Sequence, residues 1–232
     1  MNFIIPNGFY AYDSFYYGIY QPIFESKTYI ENFTCIPVFS PDTSYKAICD
    51  LIDSANESIY IQQLYIYENW DDGISPFVEK LVDKSKKGVD VKVILNYNPS
   101  YEEINEKNNE TKLYFDESGI QTKFIYSNWS IFSNVHNKGV IVDNKTVLIS
   151  SINWNENSVL NNREAGIIII NENLAKYYVD VFFYDWNLNP PEPNTQEDDI
   201  LPQDYKNTIY IVIIFTVTFA LIIRDWRKRQ WT

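Results

Sequence analysis

The stretch SNVHNKGVIVDNKTVLISSINWNEN, residues 133–157, contains His136, the single histidine of the 232-residue chain. Apolar residues on both sides of the polar Asn144–Lys145 pair predict two strands joined as a β-hairpin, residues 135–153. Polar side chains are concentrated at the open end of this hairpin. The sequence therefore predicts that one hairpin positions a group of side chains with distinct chemistry.

The strand period predicts which of these side chains meet. Positions i and i+2 share a face, so His136 and Lys138 point the same way, whereas Asp143 points away. A two-residue turn at Asn144–Lys145 would place Ser151 opposite Lys138 and Asn153 opposite His136. A slip of one residue would move part of the set to the other face.

This set of groups suits attack on a phosphodiester. A neutral imidazole can attack phosphorus, while ammonium, hydroxyl and amide donors hold the nonbridging oxygens. A carboxylate at the Nδ1 side of the imidazole would fix its tautomer and support its cation. Glu164 is the candidate for that carboxylate, with a surface salt bridge to Arg163 as the alternative, and no metal or cofactor is needed.

Around the hairpin the pattern alternates between helix and strand, which predicts an α/β sandwich with a mixed sheet. Trp154 is predicted to lie in its core, and Gln62–Gln63 either lines the pocket or has a solvated or sheet-capping role. The predicted helices cover residues 47–55, 76–87, 106–117 and 172–186, and the predicted strands cover residues 58–67, 89–95, 120–127 and 164–170.

The pattern His136-x-Lys138-x4-Asp143 followed by SSINW resembles the HxKxxxxD…(G/S)SxN motif of the phospholipase D superfamily. The resemblance covers about residues 34–187. This segment is similar to the second half of membrane-anchored, cardiolipin synthase-like prokaryotic members of the family. It implies an α-β-α sandwich with a mixed sheet, forming one half-unit of the family's structure.

The resemblance also implies roles for individual residues. His136 would be the nucleophile that forms a phosphohistidine, and Lys138, Ser151 and Asn153 would contact phosphate. Asp143, although part of the motif, would be mainly structural, and Glu164 matches the acidic residue that supports the histidine.

The sequence departs from the family in one respect. Family members bring two such motifs together, so that one histidine attacks and the other protonates the leaving group. This chain has one histidine. A second half, from a homodimer or from a separate partner chain, is therefore expected.

Charge and hydropathy divide the chain. Residues 1–207 carry 15 basic and 30 acidic residues, which makes nucleic acid an unfavourable partner. Residues 208–223 are uncharged and apolar, and the basic residues 224–232 follow them. This order predicts a transmembrane helix over 207–223 with a cytoplasmic tail at 224–232, although a buried core helix is the alternative.

The remaining segments complete the predicted organisation. Residues 1–33 are an irregular lead-in, which could be the remnant of a preceding half, and residues 188–206 are a Pro-rich acidic linker. The basic tail predicts a single-pass membrane protein with an extracytoplasmic domain. Because the first residues lack a signal-peptide pattern, either the chain is part of a longer protein or it is tail-anchored in the opposite orientation. Whether Cys35 and Cys49 pair stays open.

Three functions are compatible with these observations. The first is a phospholipase D-like phosphodiesterase or phosphatidyltransferase with a phospholipid substrate, held at the membrane by its single span. The second is a homodimeric phosphodiesterase nuclease. The third is a noncatalytic, truncated remnant that acts as a binding module.

Overall fold

The computed structural model describes residues 23–127 and 132–189. The strands are β1 (Thr34–Phe39), β2 (Ser58–Gln63), β3 (Asn69–Trp70), β4 (Gly73–Ile74), β5 (Asp90–Tyr97), β6 (Gln121–Tyr126), β7 (Lys138–Val142), β8 (Thr146–Ser150) and β9 (Ala165–Ile170). The helices are α1 (Ser44–Ser54), α2 (Pro76–Lys86), α3 (Glu102–Glu117), α4 (Glu156–Leu160) and α5 (Glu172–Trp186). These elements alternate along the chain as the sequence predicts.

Seven strands form one mixed sheet in the order β1-β9-β8-β7-β2-β5-β6. Strands β2, β5 and β6 are parallel and are connected through α2 and α3, whereas β7, β8, β9 and β1 are antiparallel to their neighbours. Strand β7 therefore joins the parallel half to the antiparallel half. The candidate histidine lies just before this central strand.

Helices cover both faces of the sheet. The core on one face is formed with α1 to α4 and includes Phe77, Phe115 and Trp154, all fully buried. The core on the other face is formed with α5, whose Phe182 stacks on Tyr60 at 5.1 Å between ring centroids. The α/β sandwich with a mixed sheet is thus confirmed, as is the core position of Trp154.

Helix α5 has the bounds that the sequence predicts, and it begins at an N-cap where Asn171 Oδ1 accepts a hydrogen bond from Leu174 N at 2.8 Å. Other elements differ from the prediction. Helix α3 begins at Glu102 instead of residue 106, β2 ends at Gln63 instead of residue 67, and β1 was not predicted. The chain beyond Gln63 leaves the sheet because buried Asn108 and Thr111 of α3 hydrogen-bond to the backbone of Leu64 and Ile66.

The predicted register of the hairpin is wrong by one residue. Lys138 pairs with Ser150, and Val142 pairs with Thr146, so the turn has three residues instead of two. The cause is a left-handed turn, in which Asp143 and Asn144 have φ values of 51° and 52°. Asn and Asp tolerate this conformation better than most residues because their short side chains hydrogen-bond locally.

The two cysteines are both free, with Cys35 exposed and Cys49 buried. Among residues 23–127 and 132–189, no helix is long and apolar enough to cross a membrane. The predicted transmembrane helix, basic tail, most of the linker and most of the lead-in fall outside the residues that the structure describes.

Candidate active site

The site is built around the start of β7. Lys138 Nζ lies 2.9 Å from His136 Nδ1 and donates a 2.7 Å hydrogen bond to the His136 carbonyl oxygen. His136 is exposed, whereas Lys138 is only 5% exposed. The predicted proximity of imidazole and ammonium is thus present, with the imidazole at the surface and the ammonium beneath it.

Burial disfavours the charged form of the Lys138 side chain. Desolvation lowers the pKa of the Lys138 ammonium, and the nearby carboxylate of Glu164 offsets part of that effect. Within the described residues, no carboxylate lies close enough to Lys138 to form a salt bridge. The site therefore holds a buried cationic group whose charge an anion could compensate.

The hydroxyl of Ser151, which is predicted to contact phosphate, and that of the neighbouring Ser150 are both hydrogen-bonded to the backbone. Ser151 lies one residue past the partner of Lys138, and its Oγ accepts a 3.3 Å hydrogen bond from Ala165 N of β9. The serine opposite Lys138 is Ser150, whose Oγ donates to the Lys138 carbonyl oxygen at 3.1 Å. The expected placement of Ser151 opposite Lys138 is therefore incorrect, because the three-residue turn shifts the register.

Asn153 is partly buried, and its Oδ1 has no hydrogen-bond partner in the described part of the chain. Strands β7 and β8 pair only over residues 138–142 and 146–150, and their register differs by one residue from the predicted one, so the predicted pairing of Asn153 with His136 is also wrong. Asn153 still lies three residues past the end of β8, at the end of the hairpin where β7 begins. A buried acceptor without a partner is unusual in a folded protein and is a feature of ligand sites.

Glu164 lies near the site but not where the imidazole would need it. Its carboxylate raises the pKa of Lys138, and the Nδ1 atom of His136 faces Lys138 instead of a carboxylate. The alternative of a salt bridge between Glu164 and Arg163 is not observed, since Arg163 pairs with Asp42. Glu164 is thus close enough to influence the ammonium, and its support of the histidine stays a prediction.

Asp143 lies at the opposite end of β7. Its carboxylate accepts hydrogen bonds of 2.8–2.9 Å from the backbone N–H groups of Asn56, Glu57 and Ser58. Burial alone would raise the pKa of Asp143, but these backbone hydrogen bonds outweigh it and lower the pKa below its usual value. Asp143 therefore connects the hairpin turn to the start of β2 instead of facing the imidazole.

A polar chain that the sequence analysis did not identify crosses the other side of the site. Asn137 Nδ2 donates to Gln62 Oε1 at 2.6 Å, and Gln62 Nε2 donates to Asp185 Oδ2 at 2.6 Å. This chain connects the motif segment to α5. The alternation of Asn137 with His136 and Lys138 places it on the other face, but no local signal in the sequence links Gln62 to Asp185.

The neighbouring Gln63 is fully buried, and neither of its amide atoms has a hydrogen-bond partner in the residues that the structure describes. The antiparallel pairing of β2 with β7 runs as far as Gln62–Gly139, and extending this register by one residue would align Gln63 with Lys138. Side chains alternate between the two faces of a strand. The two glutamines therefore lie on opposite faces of β2. Of the described residues, no group of three or more His, Cys, Asp or Glu is arranged to hold a metal ion.

Comparison with known proteins relates this geometry to a family. The family model described as "Cardiolipin synthase, PLD-like domain" matches residues 48–186. A phospholipase D from Rickettsia bellii is 30% identical over 139 residues, and the DISARM protein DrmC from Bacillus paralicheniformis is 25% identical over 127 residues. The chain spans 62% of the length of the first relative and 50% of the second.

A solved structure has the same fold. Nuc from Salmonella typhimurium, a phospholipase D family member, superimposes with a TM-score of 0.56 at 27% identity, over 68% of this chain and 96% of that one. A fold and a histidine–lysine site of this kind define a phospholipase D-type domain. The chain belongs to the phospholipase D superfamily, within its family of cardiolipin synthase PLD-like domains.

Proposed function

We propose that the chain is one half of a phospholipase D-like phosphodiesterase or phosphatidyltransferase that acts on phospholipids. His136 attacks phosphorus and forms a phosphohistidine, and a second motif from another chain completes the site. The observation that carries this proposal is the buried Lys138 ammonium beside an exposed imidazole.

The energetics of Lys138 support a phosphate site. Burying an ammonium without a compensating charge is unfavourable, and a phosphodiester anion would supply that charge. The electrostatic gain grows as negative charge accumulates on the nonbridging oxygens during attack, so the ammonium also stabilises the transition state. Asn153, whose buried Oδ1 has no partner among the described residues, can turn its amide so that the NH₂ group donates to the same phosphate.

The reaction takes place in two steps. In the first, an imidazole nitrogen of His136 forms a bond to phosphorus, the bond to the leaving alcohol breaks, and the partner motif protonates that alcohol. In the second, the partner motif removes a proton from water or from a second alcohol, which attacks phosphorus and releases His136. Water gives hydrolysis, and an alcohol gives transfer of the phosphatidyl group.

The need for a second half follows from the single histidine of the chain. One imidazole cannot be bonded to phosphorus and protonate the leaving group in the same step. A symmetric copy is the simplest source, because a closed two-fold interface brings two identical motifs together. The domain covers 96% of the Nuc chain, so this phospholipase D family member consists of little more than one such domain.

A lipid substrate is favoured by the apolar run 208–223 and its basic flank, which would hold the domain at a bilayer. The same charge order favours an extracytoplasmic location for residues 1–206. Protease added to intact cells should then remove the domain. Cleavage in inside-out vesicles alone would instead place the domain in the cytoplasm.

The activity is tested with the full chain in detergent and labelled phosphatidylglycerol or phosphatidylcholine. Wild-type protein should release headgroup or form a transfer product, and His136→Asn should lose this turnover while keeping its melting temperature. Equal turnover by both proteins would contradict the assignment. A folded wild-type chain that turns over neither lipid, alone or with a separately encoded first half, would support the noncatalytic binding module.

Nuclease activity is the second candidate, because a phosphodiester site of this kind does not by itself select lipid over nucleic acid. Single-stranded and plasmid DNA should be incubated with the chain at low salt. Electrostatic repulsion between DNA and the acidic surface of the chain is strongest there, which makes cleavage under this condition a stringent result. Cleavage that Lys138→Ala abolishes, together with no lipid turnover, would favour the nuclease.

A further inference from the structure

Gln63, the last residue of β2, is a buried polar side chain without a partner. It is fully buried, and neither its amide nitrogen nor its amide oxygen has a hydrogen-bond partner within residues 23–127 and 132–189. Buried polar groups of folded proteins are nearly always hydrogen-bonded, and the exceptions often mark functional sites. The position of Gln63 at the active-site end of β2 therefore raises the question of which group its amide meets.

The neighbours of Gln63 in the sheet identify that group. On one side Gln63 pairs with Leu95 of β5, and on its own strand the preceding residue of the same face is Ile61, so both of these neighbours are apolar. On the other side β2 is antiparallel to β7, and their register, extended by one residue, aligns Gln63 with Lys138. Residues opposite each other in an antiparallel pair share a face. Lys138 is therefore the polar neighbour of Gln63 across the sheet.

The Lys138 ammonium is turned away from this amide. It hydrogen-bonds to the Nδ1 atom of His136 at 2.9 Å and to the His136 carbonyl oxygen at 2.7 Å. An ammonium has three N–H donors at the end of a flexible four-carbon stem, so these two hydrogen bonds leave one donor for another acceptor. Opposite Cβ atoms in an antiparallel pair are about 4.5–5.5 Å apart, a gap that a lysine and a glutamine side chain can bridge. Rotation about the stem can therefore bring the ammonium to Gln63.

We propose that Gln63 is a positioning residue for Lys138, whose ammonium donates a hydrogen bond to Gln63 Oε1 when a phosphate draws it away from the imidazole. The inference rests on the proposed function, since it takes the phosphate to bind at Lys138. Without phosphate the ammonium is held by His136, and with phosphate it is held between the anion and Gln63. The amide that is unpaired in the first state is paired in the second, which favours the state in which His136 is released.

A neutral amide suits this role better than a charged or an apolar side chain. A carboxylate at position 63 would pair with the ammonium permanently and compete with the phosphate for it. An apolar side chain would offer the displaced ammonium no acceptor in a buried place, where an unpaired charge is unfavourable. An amide accepts the hydrogen bond without neutralising the charge, so the ammonium stays available to the anion.

The test uses the full chain in nonionic detergent at mildly alkaline pH, with inorganic phosphate as the probe. Calorimetry gives its affinity, and the ¹⁵N signals of the single imidazole show whether Nδ1 accepts from Lys138 or carries the proton itself. Gln63→Met keeps the length of the side chain and removes its acceptor. This variant should bind phosphate about tenfold more weakly than wild-type protein and should keep the Nε2–H tautomer at phosphate concentrations that convert wild-type protein to Nδ1–H.

Gln63→Glu should have a different effect that does not depend on phosphate. Its carboxylate should pair with the Lys138 ammonium, so the imidazole should be in the Nδ1–H form before any ligand is added. A purely structural role of Gln63 would change the melting temperature of the variants but not the tautomer of the imidazole. Gln121→Met, at an exposed position of β6, is the matched control and should behave as wild-type protein in both measurements.

Lys138→Ala separates this inference from the proposed function, because it removes the phosphate contact itself and should abolish phosphate binding. If Gln63→Met matches wild-type protein in affinity and tautomer, or if Gln63→Glu keeps the Nε2–H form without ligand, the positioning role is wrong and the phosphate site stands. The amide would then be satisfied by a buried water molecule. If wild-type protein does not bind phosphate, or if Lys138→Ala binds it equally well, the phosphate site is wrong and the role of Gln63 falls with it.

Discussion

Lys138 Nζ lies 2.9 Å from Nδ1 of His136. In an imidazole that attacks phosphorus, a supporting carboxylate would accept a hydrogen bond from this nitrogen. An ammonium only donates hydrogen bonds, so Nδ1 accepts, and a neutral imidazole then carries its proton on Nε2. In this arrangement neither nitrogen presents a lone pair to a substrate. A phosphate that draws Lys138 away would free Nδ1 to carry the proton, which leaves the lone pair of Nε2 for attack.

The first prediction is a change of tautomer on phosphate binding. Because the chain has one histidine, the ¹⁵N NMR spectrum of its imidazole contains a single pair of ring signals. We expect the Nε2–H tautomer without ligand and a shift toward Nδ1–H as inorganic phosphate is added at mildly alkaline pH. Lys138→Met should remove the dependence on phosphate, whereas an unchanged tautomer in wild-type protein would contradict the exchange of partners.

The second prediction is that Lys138→Met stabilises the fold while removing activity. Desolvation lowers the pKa of Lys138, which means that folding disfavours the ammonium form. At neutral pH the charged Lys138 therefore reduces the free energy of unfolding. Replacing a buried charge by an apolar side chain of similar length should add about 1–2 kcal/mol to the free energy of unfolding. The gain should shrink as the pH rises from the lowered pKa toward 10.5, where the unfolded chain also loses the proton.

Thermal melting across this pH range checks the second prediction, with Lys46→Met as the matched control. Lys46 is exposed and pairs with Asp50 across one helical turn, so its replacement should leave the stability within about 0.5 kcal/mol. A lower melting temperature for Lys138→Met than for wild-type protein would show that the lysine contributes more to packing than its burial costs.

The third prediction concerns Asp143, which we expect to matter for stability more than for chemistry. Asp143→Asn keeps the shape but loses charge-assisted hydrogen bonds to three consecutive backbone N–H groups, at a cost of about 2–3 kcal/mol. Because the folded pKa of Asp143 is lowered, its contribution is complete well above pH 3.8 and is lost as the pH falls through the folded pKa.

Urea unfolding at neutral and acidic pH measures the effect of Asp143→Asn. The difference from wild-type protein should narrow in acid, and kcat per folded molecule should change by less than about threefold at neutral pH. Asp50→Asn, at an exposed salt bridge, is the control. A large loss of kcat in fully folded Asp143→Asn would instead assign this residue to the reacting site.

The fourth prediction compares two glycines on either side of β8. A Cβ on Gly166 would lie 2.7 Å from Ser150 Cβ and 3.1 Å from the Ile149 carbonyl oxygen, whereas a Cβ on Gly139 would lie no closer than 3.7 Å to any neighbour. Gly166→Ala should therefore push β9 from β8 beside the partner of Lys138, at a cost of about 1–3 kcal/mol. Gly139→Ala should be tolerated in the same melting experiment, and equal effects would contradict the close approach.

The sequence could predict local features of this structure but not its register or its long-range contacts. Periodicity is local, so it predicted α5 to the residue and the two strands of the hairpin. The register depends on the φ values of Asp143 and Asn144, which hydrophobic alternation does not encode. The contacts of Gln62 with Asp185, 123 residues apart, and of Asp143 with Asn56, 87 residues apart, depend on tertiary packing and needed the structure.

The last prediction is that activity requires two motifs in one assembly, and it rests on the single histidine of the chain. In a two-fold pair, one His136 bonds to phosphorus while its symmetry mate protonates the leaving alcohol. A mixed pair of wild-type and His136→Ala chains keeps one complete motif but loses either the nucleophile or the proton donor at the shared site. General acid catalysis is worth about 10² to 10⁴ in rate, so the mixed pair should fall to about 1% of wild-type activity or less.

Co-expression of differently tagged wild-type and His136→Ala chains, followed by two affinity steps, isolates the mixed species for this measurement. His136→Ala in both chains provides the background, and a mixed species of wild-type chains carrying the two tags provides the reference. Half of the reference activity would mean that each chain works alone and would contradict a shared site. If the wild-type chain is instead monomeric and inactive but gains activity with a separately encoded first half, the site is shared between different chains, and the requirement for a second motif holds.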